Sequence, residues 1–443
     1  MSTDRAIKNL QELIRIPTVS RLDVAGTDWE PFDDFLAALA RLYPVAHSTL
    51  EREVIAEHSL LLRWRGRSSE NPTVLMAHFD VVAATDEGWE HPPFAAEVTG
   101  EGNEQLIWGR GTLDDKGAVA AILEAVEGQL TVGRTPFNDL YLSLGHDEET
   151  HGTGARAIAE LLASRGIRPA LVLDEGGAIV TGAFPGVSGP VAAIGVSEKG
   201  TVIVSLLVEQ QGGHASTPPR MTATSRLARA IVRMHARPFP ARFNDVTMEM
   251  FAVLGRHARG IFGLLFRGAR FTRPLLLAAF ARISDETRAV IQTTAAVTML
   301  SAGLAANALP ERAMATVNLR VAVDSSVADS VEHVRRAIRD ELVRIQVLVA
   351  SEPAPVSPTH GTMWDLLVTT VERTHPGTLV APYVQNGASD SRHFASVSDH
   401  VYRFTPFEMT KAQRDTLHAV NERMHVATYL RGIEFYSALI AAL

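Results

Sequence analysis

The chain has 443 residues with a net charge of −8, which excludes nucleic acid as its main partner because phosphate binding needs a clustered excess of Lys and Arg. It contains no cysteine. Disulfide frameworks, cysteine zinc sites, iron–sulfur clusters and thiol nucleophiles are therefore ruled out, and any metal must sit on His, Asp and Glu. An apolar fraction of 46% supports a globular enzyme, and the length exceeds what one core organises, so two domains are expected.

The polar residues 1–10 lack the apolar centre of a signal peptide and predict a cytoplasmic address. Residues 73–77, 140–144 and 170–173 are short, continuous apolar runs, as strands covered on both faces should be. Between them, 117–126 and 155–162 show helical spacing. The alternation predicts an α/β fold built on a mostly parallel sheet. Each run ends in acid or imidazole groups: His78 and Asp80, then Asp147 to Glu149, then Asp174 and Glu175. Open α/β sheets bind ligands beyond the carboxyl ends of their strands, so these groups are expected to share one crevice.

After residue 200 the pattern changes. Strand-like 202–208, a helix over 225–235, strand-like 315–321 and an amphipathic helix over 327–345 predict a smaller α+β unit. Pro353-Ala-Pro-Val-Ser-Pro358 reads as the linker back. The expected division is a catalytic domain of residues 1–199 and 356–443 with an inserted domain of 200–355. Within the insert, the apolar runs 260–266 and 275–281 flank Arg267, Arg270 and Arg273. Neither approaches the roughly 20 apolar residues that cross a bilayer, so no transmembrane segment is expected. They read as a basic amphipathic helical pair, buried or covering a cavity rather than lying on lipid.

Strand alternation would put His78 and Asp80 on one face, where Asp80 accepts the second ring N–H of His78 and fixes its tautomer. Asp114 follows a Gly-rich turn and precedes a helix, a position from which its two oxygens can bridge two cations. Glu148 and Glu149 point to opposite sides if extended, so one can ligate metal while the other holds a water. A lone His-x-Asp is commonplace, and two adjacent carboxylates are as often a solvated turn. With Asp174 added, all at strand ends, coincidence becomes the weaker reading. His146-Asp-Glu-Glu-Thr-His151 is near the zincin signature, but Asp147 stands where that motif needs Glu and the segment follows a strand. No Gly-x-Ser-x-Gly elbow or phosphate loop occurs.

Together, His78-x-Asp80, Gly109-x-Gly-x-x-Asp-Asp-Lys-Gly117, Asp147-Glu-Glu149, Leu173-Asp-Glu-Gly176 and Gly213-His-Ala-Ser216 resemble the dinuclear-zinc aminoacylase and carboxypeptidase family. The set is most similar to its carboxypeptidase S-like branch, which acts on peptides and N-acyl amino acids. The resemblance implies a zinc-hydrolase catalytic domain with an inserted ferredoxin-like lid and dimerisation domain, and two zinc ions, replaceable by cobalt or manganese. Asp114 would bridge the pair, with His78 and Asp174 on one ion, Glu149 and a distant His on the other, and a cis peptide between Asp114 and Asp115. Among His393, His400, His418 and His425, the match of Leu417-His-Ala-Val-Asn-Glu422 to the family's His-x-x-Asn-Glu selects His418. Glu148 would be the general base. His214 resembles a lid histidine that steadies the oxyanion, often across a homodimer interface, and Arg392 and Asn307 resemble groups that bind the substrate carboxylate.

The expected protein is a dizinc amidohydrolase that releases an amino acid from an N-acyl amino acid or short peptide. A dipeptidase with a restrictive lid is the alternative in the same class, and a non-catalytic ligand-binding or membrane-docking relative the alternative from another. The stretch 238–294, where the chain departs from compact aminoacylases, is expected to line an acyl pocket or cap the lid.

Overall fold

The computed structural model describes residues 2–443, the side chain of residue 286 apart. The elements of the first half that position the site are strands β1 (Glu51–Ile55), β2 (Ser59–Trp64) and β3 (Ser68–His78), helix α1 (Lys116–Thr131), strand β4 (Asn138–Gly145), helix α2 (Thr153–Ser164) and strands β5 (Leu171–Asp174) and β6 (Val191–Glu198). In β3, Leu75 and Ala77 enter one apolar core while Val74 and Met76 enter another, so both faces of the strand are covered. This is why its sequence is a continuous apolar run and not an alternating one. β3 pairs in parallel with β4 and β5 on either side, which brings their carboxyl ends to one edge.

A second sheet follows. Strand β7 (Gly200–Glu209), helix α3 (Ala223–His235), the helices α4 (Asp245–His257), α5 (Gly260–Arg267), α6 (Ala269–Ile283) and α7 (Asp285–Ile291), strands β8 (Thr294–Ala302) and β9 (Arg312–Val321), helix α8 (Val327–Ile338) and strand β10 (Arg344–Ser351) make up this stretch. The sheet order is β8-β9-β7-β10, antiparallel throughout, with α3 and α8 packed on one face, a ferredoxin-like arrangement. The chain then returns through helix α9 (Thr362–Thr374), strands β11 (Leu379–Gln385) and β12 (Val401–Arg403) and helix α10 (Val426–Ala442). The large sheet runs β1-β2-β4-β3-β5-β12-β6, continues into two short strands, and takes β11 alongside β6; α1 lies between it and α10. The fold is mixed α/β with a mostly parallel central sheet.

Two expectations differ from what is seen. The helix expected to reach residue 345 stops at Ile338, because Arg339 adopts a left-handed φ of 50° and residues 344–351 pair as an edge strand with β7. The second difference is the placement of α4–α7, which interrupt the inserted unit in sequence but pack on the large sheet. Phe251, Leu254, Phe266 and Leu276 share a core with Val191 and Ala381 of β6 and β11. The inner face of the second sheet is already occupied by α3 and α8, so the apolar stripe of α4 is buried elsewhere. Among the described residues no helix is long and apolar enough to cross a membrane.

Candidate metal centre and active site

β3 ends at His78, so Asp80 lies just past the strand and not on its alternation. It still meets the imidazole: His78 Nδ1 is 3.0 Å from the Asp80 carbonyl oxygen and 3.2 Å from Oδ1, and Nε2 is 3.0 Å from Asp114 Oδ1. The fully buried Asp80 carboxylate also accepts from the backbone N–H of Glu148 (3.0 Å) and Glu149 (3.1 Å) and from Ser20 Oγ (2.7 Å). One side chain thus orients the histidine and pins the following acidic turn. That turn is not extended, since the Asp147 carbonyl accepts from the N–H of His151 and Gly152 at 2.9 and 2.7 Å. Glu148 and Glu149 consequently face the same cavity and not opposite sides.

Asp114 closes the cluster. Its Oδ2 lies 3.0 Å from Nε2 of His418, which is also 3.0 Å from Glu149 Oε1. The ligand atoms of His78, Asp114 and Glu149 all fall within 4.8 Å of one another. Asp174, buried at the end of β5, lies outside that group and accepts from the Ser391 N–H at 2.7 Å. The peptide between Asp114 and Asp115 is cis.

Glu422 is a residue whose role sequence reasoning missed. Its buried carboxylate accepts from Arg110 Nη1 (2.5 Å) and from the backbone N–H of Gly111, Leu113 and Asp114, so it clamps the loop that presents Asp114. Its place in His-x-x-Asn-Glu was the available signal. His418 and Asn421 in the same segment hold left-handed φ values of 57° and 66°, conformations that persist only where the surroundings over-determine them.

The electrostatics call for cations. Burial pushes the carboxyls of Glu148 and Glu175 well above their ordinary range, and neighbouring acids add to this, Asp390 and Glu149 for Glu148, and Asp114 and Glu148 for Glu175. Asp114 goes the other way: against the effect of burial, hydrogen bonds from His418 and His78 hold it below the usual carboxylate value. Those same bonds, to Asp114 and Glu149, raise His418 to about 10. Oxygen and imidazole donors from His78, Asp114, Glu149 and His418, crowded by further acids, form a donor set that suits divalent metal.

Asp114, Glu148, Glu149 and His418 line one end of a cavity of about 680 Å³. Its other end is apolar, with Met250, Phe251 and Leu254 of α4, Phe266 of α5 and Phe280 of α6. Among the described residues that line it, none is Arg392, His214 or Asn307. Arg392 is half-buried beside Gly152, on the turn of 3₁₀ helix Asp390–Ser396. Exposed His214 and Asn307 come together on the inserted unit, where Gly213–His214 pairs with Ala308–Leu309 and the Ala215 N–H donates to the Asn307 carbonyl at 3.0 Å. Sequence reasoning also missed Arg320, on β9. Burial lowers its pKa and the charge of Arg392 lowers it further, so the two guanidiniums lie near one another, Arg320 from the second sheet and Arg392 from the 3₁₀ helix. An Arg within the strand-like run Ala315-Thr-Val-Asn-Leu-Arg-Val321 was the signal.

Comparison with known proteins decides the family. The profile of peptidase family M20/M25/M40 matches residues 74–442. The chain belongs to that family. It is 36% identical over 441 residues to the N-fatty-acyl-amino acid synthase/hydrolase PM20D1 of Xenopus tropicalis, covering 98% of this chain and 85% of the relative. It is 34% identical to the probable carboxypeptidase S-like 2 of Dictyostelium discoideum, with 98% and 85% covered. The M20 metallo-carboxypeptidase Sso-CP2 of Sulfolobus solfataricus shares the fold, with a TM-score of 0.69 at 15% identity over 98% of both chains. This M20 protein therefore sits in the carboxypeptidase S-like, N-acyl amino acid hydrolase branch, as the motifs implied. It is a metallohydrolase acting on amide bonds and not the non-catalytic relative weighed above. M20 is a family of dinuclear metal-binding peptidases.

Proposed function

We propose that this M20 enzyme hydrolyses N-acyl amino acids with long apolar acyl groups, releasing the amino acid and a fatty acid. The observation that carries this reading is the single cavity joining Glu148, Glu149 and His418 to the apolar wall of Met250, Phe251, Leu254 and Phe266. An acyl chain with its amide at the acidic end would bury its methylenes there, each contributing about 0.8 kcal/mol. A polar dipeptide has no use for such a wall, which disfavours the dipeptidase alternative. The name of the Xenopus relative supports the same substrate class.

In this reading His78, Asp114, Glu149, Asp174 and His418 would hold two zinc ions, with cobalt or manganese as substitutes, Asp114 being shared between a His78–Asp174 set and a Glu149–His418 set. Bound there, the pair would lower the pKa of a water and polarise the scissile carbonyl. Glu148, whose buried carboxyl has a high proton affinity, takes the proton from the attacking water and returns it to the leaving amine. Asp80 orients His78 and holds the Glu148–Glu149 turn. Arg392, joined by Arg320, captures the substrate's carboxylate, a task suited to the guanidinium fork. His214 and Asn307 are exposed on the inserted unit and do not line the cavity, so the reading has them serve the site of a second copy, in a homodimer formed through the inserted domain of 200–355. The exposed Met299 and Leu300 on edge strand β8 fit such an interface. It also includes a cytoplasmic address, checked by cell fractionation.

The test is amine release by metal-loaded protein from N-acetyl, N-octanoyl and N-oleoyl amino acids and from dipeptides, with Glu148→Gln alongside. Rates that rise with acyl length in the parent alone are expected. Preferential cleavage of dipeptides would overturn the acyl reading.

A further inference from the structure

The helices that wall the cavity have an outer face of a different kind. Ile261 and Leu264 on α5 and Phe271 and Leu275 on α6 project into solvent, Phe271 being 92% exposed. Between residues 250 and 284 the sequence holds six arginines and no Asp or Glu, in a chain whose net charge is −8. All six, Arg256, Arg259, Arg267, Arg270, Arg273 and Arg282, are exposed. Among the described residues none of them is ion-paired with a carboxylate. Where their donors are used, they go to backbone carbonyls, as from Arg267 Nε to Gly263, Arg273 Nη2 to Phe243 and Arg282 Nη1 to Ala278, which leaves the positive charge uncompensated.

Large apolar side chains interleaved with uncompensated Arg on short helices suit the headgroup boundary of an anionic bilayer, where the rings and aliphatic chains enter the acyl layer and the guanidiniums meet phosphates. A second copy of the chain fits this face poorly. A twofold interface sets each patch against itself, which would bring six unpaired arginines against six. We propose that the outer face of α5 and α6 docks this enzyme on an anionic lipid surface, so that acyl substrates pass from the lipid into the cavity those helices line. The docking part stands on the face alone, and the delivery part rests on the acyl-hydrolase reading.

Metal-loaded full-length protein is to be cosedimented with vesicles of phosphatidylcholine alone or mixed with phosphatidylglycerol, without substrate. Binding to the mixed vesicles only, weakened by salt, is expected. Arg270→Gln with Arg273→Gln should reduce the partition coefficient by about fivefold per charge. Phe271→Asp with Leu275→Asp should reduce it by at least about tenfold. Hydrolysis of a soluble short-chain N-acyl amino acid should be unchanged in both pairs, which also shows that they fold. Absence of binding, equal binding to neutral vesicles, or partition unaffected by both pairs would overturn the proposal. So would self-association of the parent that the Phe271 and Leu275 changes abolish. Failure of the acyl-hydrolase reading would appear in the substrate panel and leave vesicle binding intact.

Discussion

The imidazole Nε2 of His418 lies 3.0 Å from Asp114 Oδ2 and 3.0 Å from Glu149 Oε1, which makes it the point where the carboxyl-terminal segment joins the acidic cluster of the large sheet. A proton held between two carboxylates in this way marks a position that a cation can take. His418→Ala is predicted to lower the metal content from two ions per chain to one, read by elemental analysis. It should also remove several kcal/mol of transition-state stabilisation. Retention of both ions with near-parental turnover would exclude His418 as a ligand.

Glu148→Gln keeps the volume and removes the proton acceptor. Turnover should fall by about 10²- to 10⁴-fold while the metal content and KM stay close to the parent's. A fall in metal content instead would move Glu148 into the ligand set.

Leu254 lines the apolar wall of the cavity with Met250, Phe251 and Phe266. Leu254→Trp should shorten it, cutting kcat/KM for long-chain substrates at least about tenfold and sparing N-acetyl substrates. Equal losses for both would mean that the chain lies elsewhere.

The Arg110–Glu422 pair is buried on both sides. Glu422→Ala leaves Arg110 without its partner and releases the Asp114 loop, so urea unfolding should register a loss of about 3–5 kcal/mol, with metal affinity falling as well. The double change Arg110→Met, Glu422→Ala should recover part of the stability but not the metal affinity, because the Glu422 clamp on the backbone of the Asp114 loop is still missing. Full recovery of both would reduce Glu422 to a counter-ion.

His375 is buried with its Nδ1 at 2.9 Å from Thr374 Oγ1, and burial, helped by Arg431, lowers its pKa to about 4. The unfolded chain takes up that proton near 6.5, the folded chain only near 4, so between these values the unfolded state binds more protons. The stability it contributes is present above 6.5 and erodes as pH falls through the window. Melting temperatures followed across that range should decline less steeply in His375→Asn than in the parent, and parallel curves would remove His375 from the acid response.

Much of the frame was legible because it depends on short-range periodicity. The continuous apolar runs at 73–77, 140–144 and 170–173 lie in buried strands β3, β4 and β5, and the acids after them do lie near one edge. The errors arose where local pattern was extended past its range. Helix α8 was overrun because residues 339–345 carry no breaking residue, and only the pairing of β10 with β7 shows that the chain has turned. An extended backbone would send Glu148 and Glu149 to opposite sides, and the turn at Asp147 replaces it.

By itself the sequence determined the kind of chemistry available: no thiols, a run of His, Asp and Glu at strand ends, and motifs specific enough to name a family. Those are properties of composition and local order. Tertiary structure alone decided that Glu422 clamps the Asp114 loop, that Arg320 lies near Arg392, and that α4–α7 leave the inserted sheet to wall a cavity on the large one. Such contacts depend on which apolar face finds uncovered surface and on which buried carboxylate finds donors, and both are settled only when distant segments pack together.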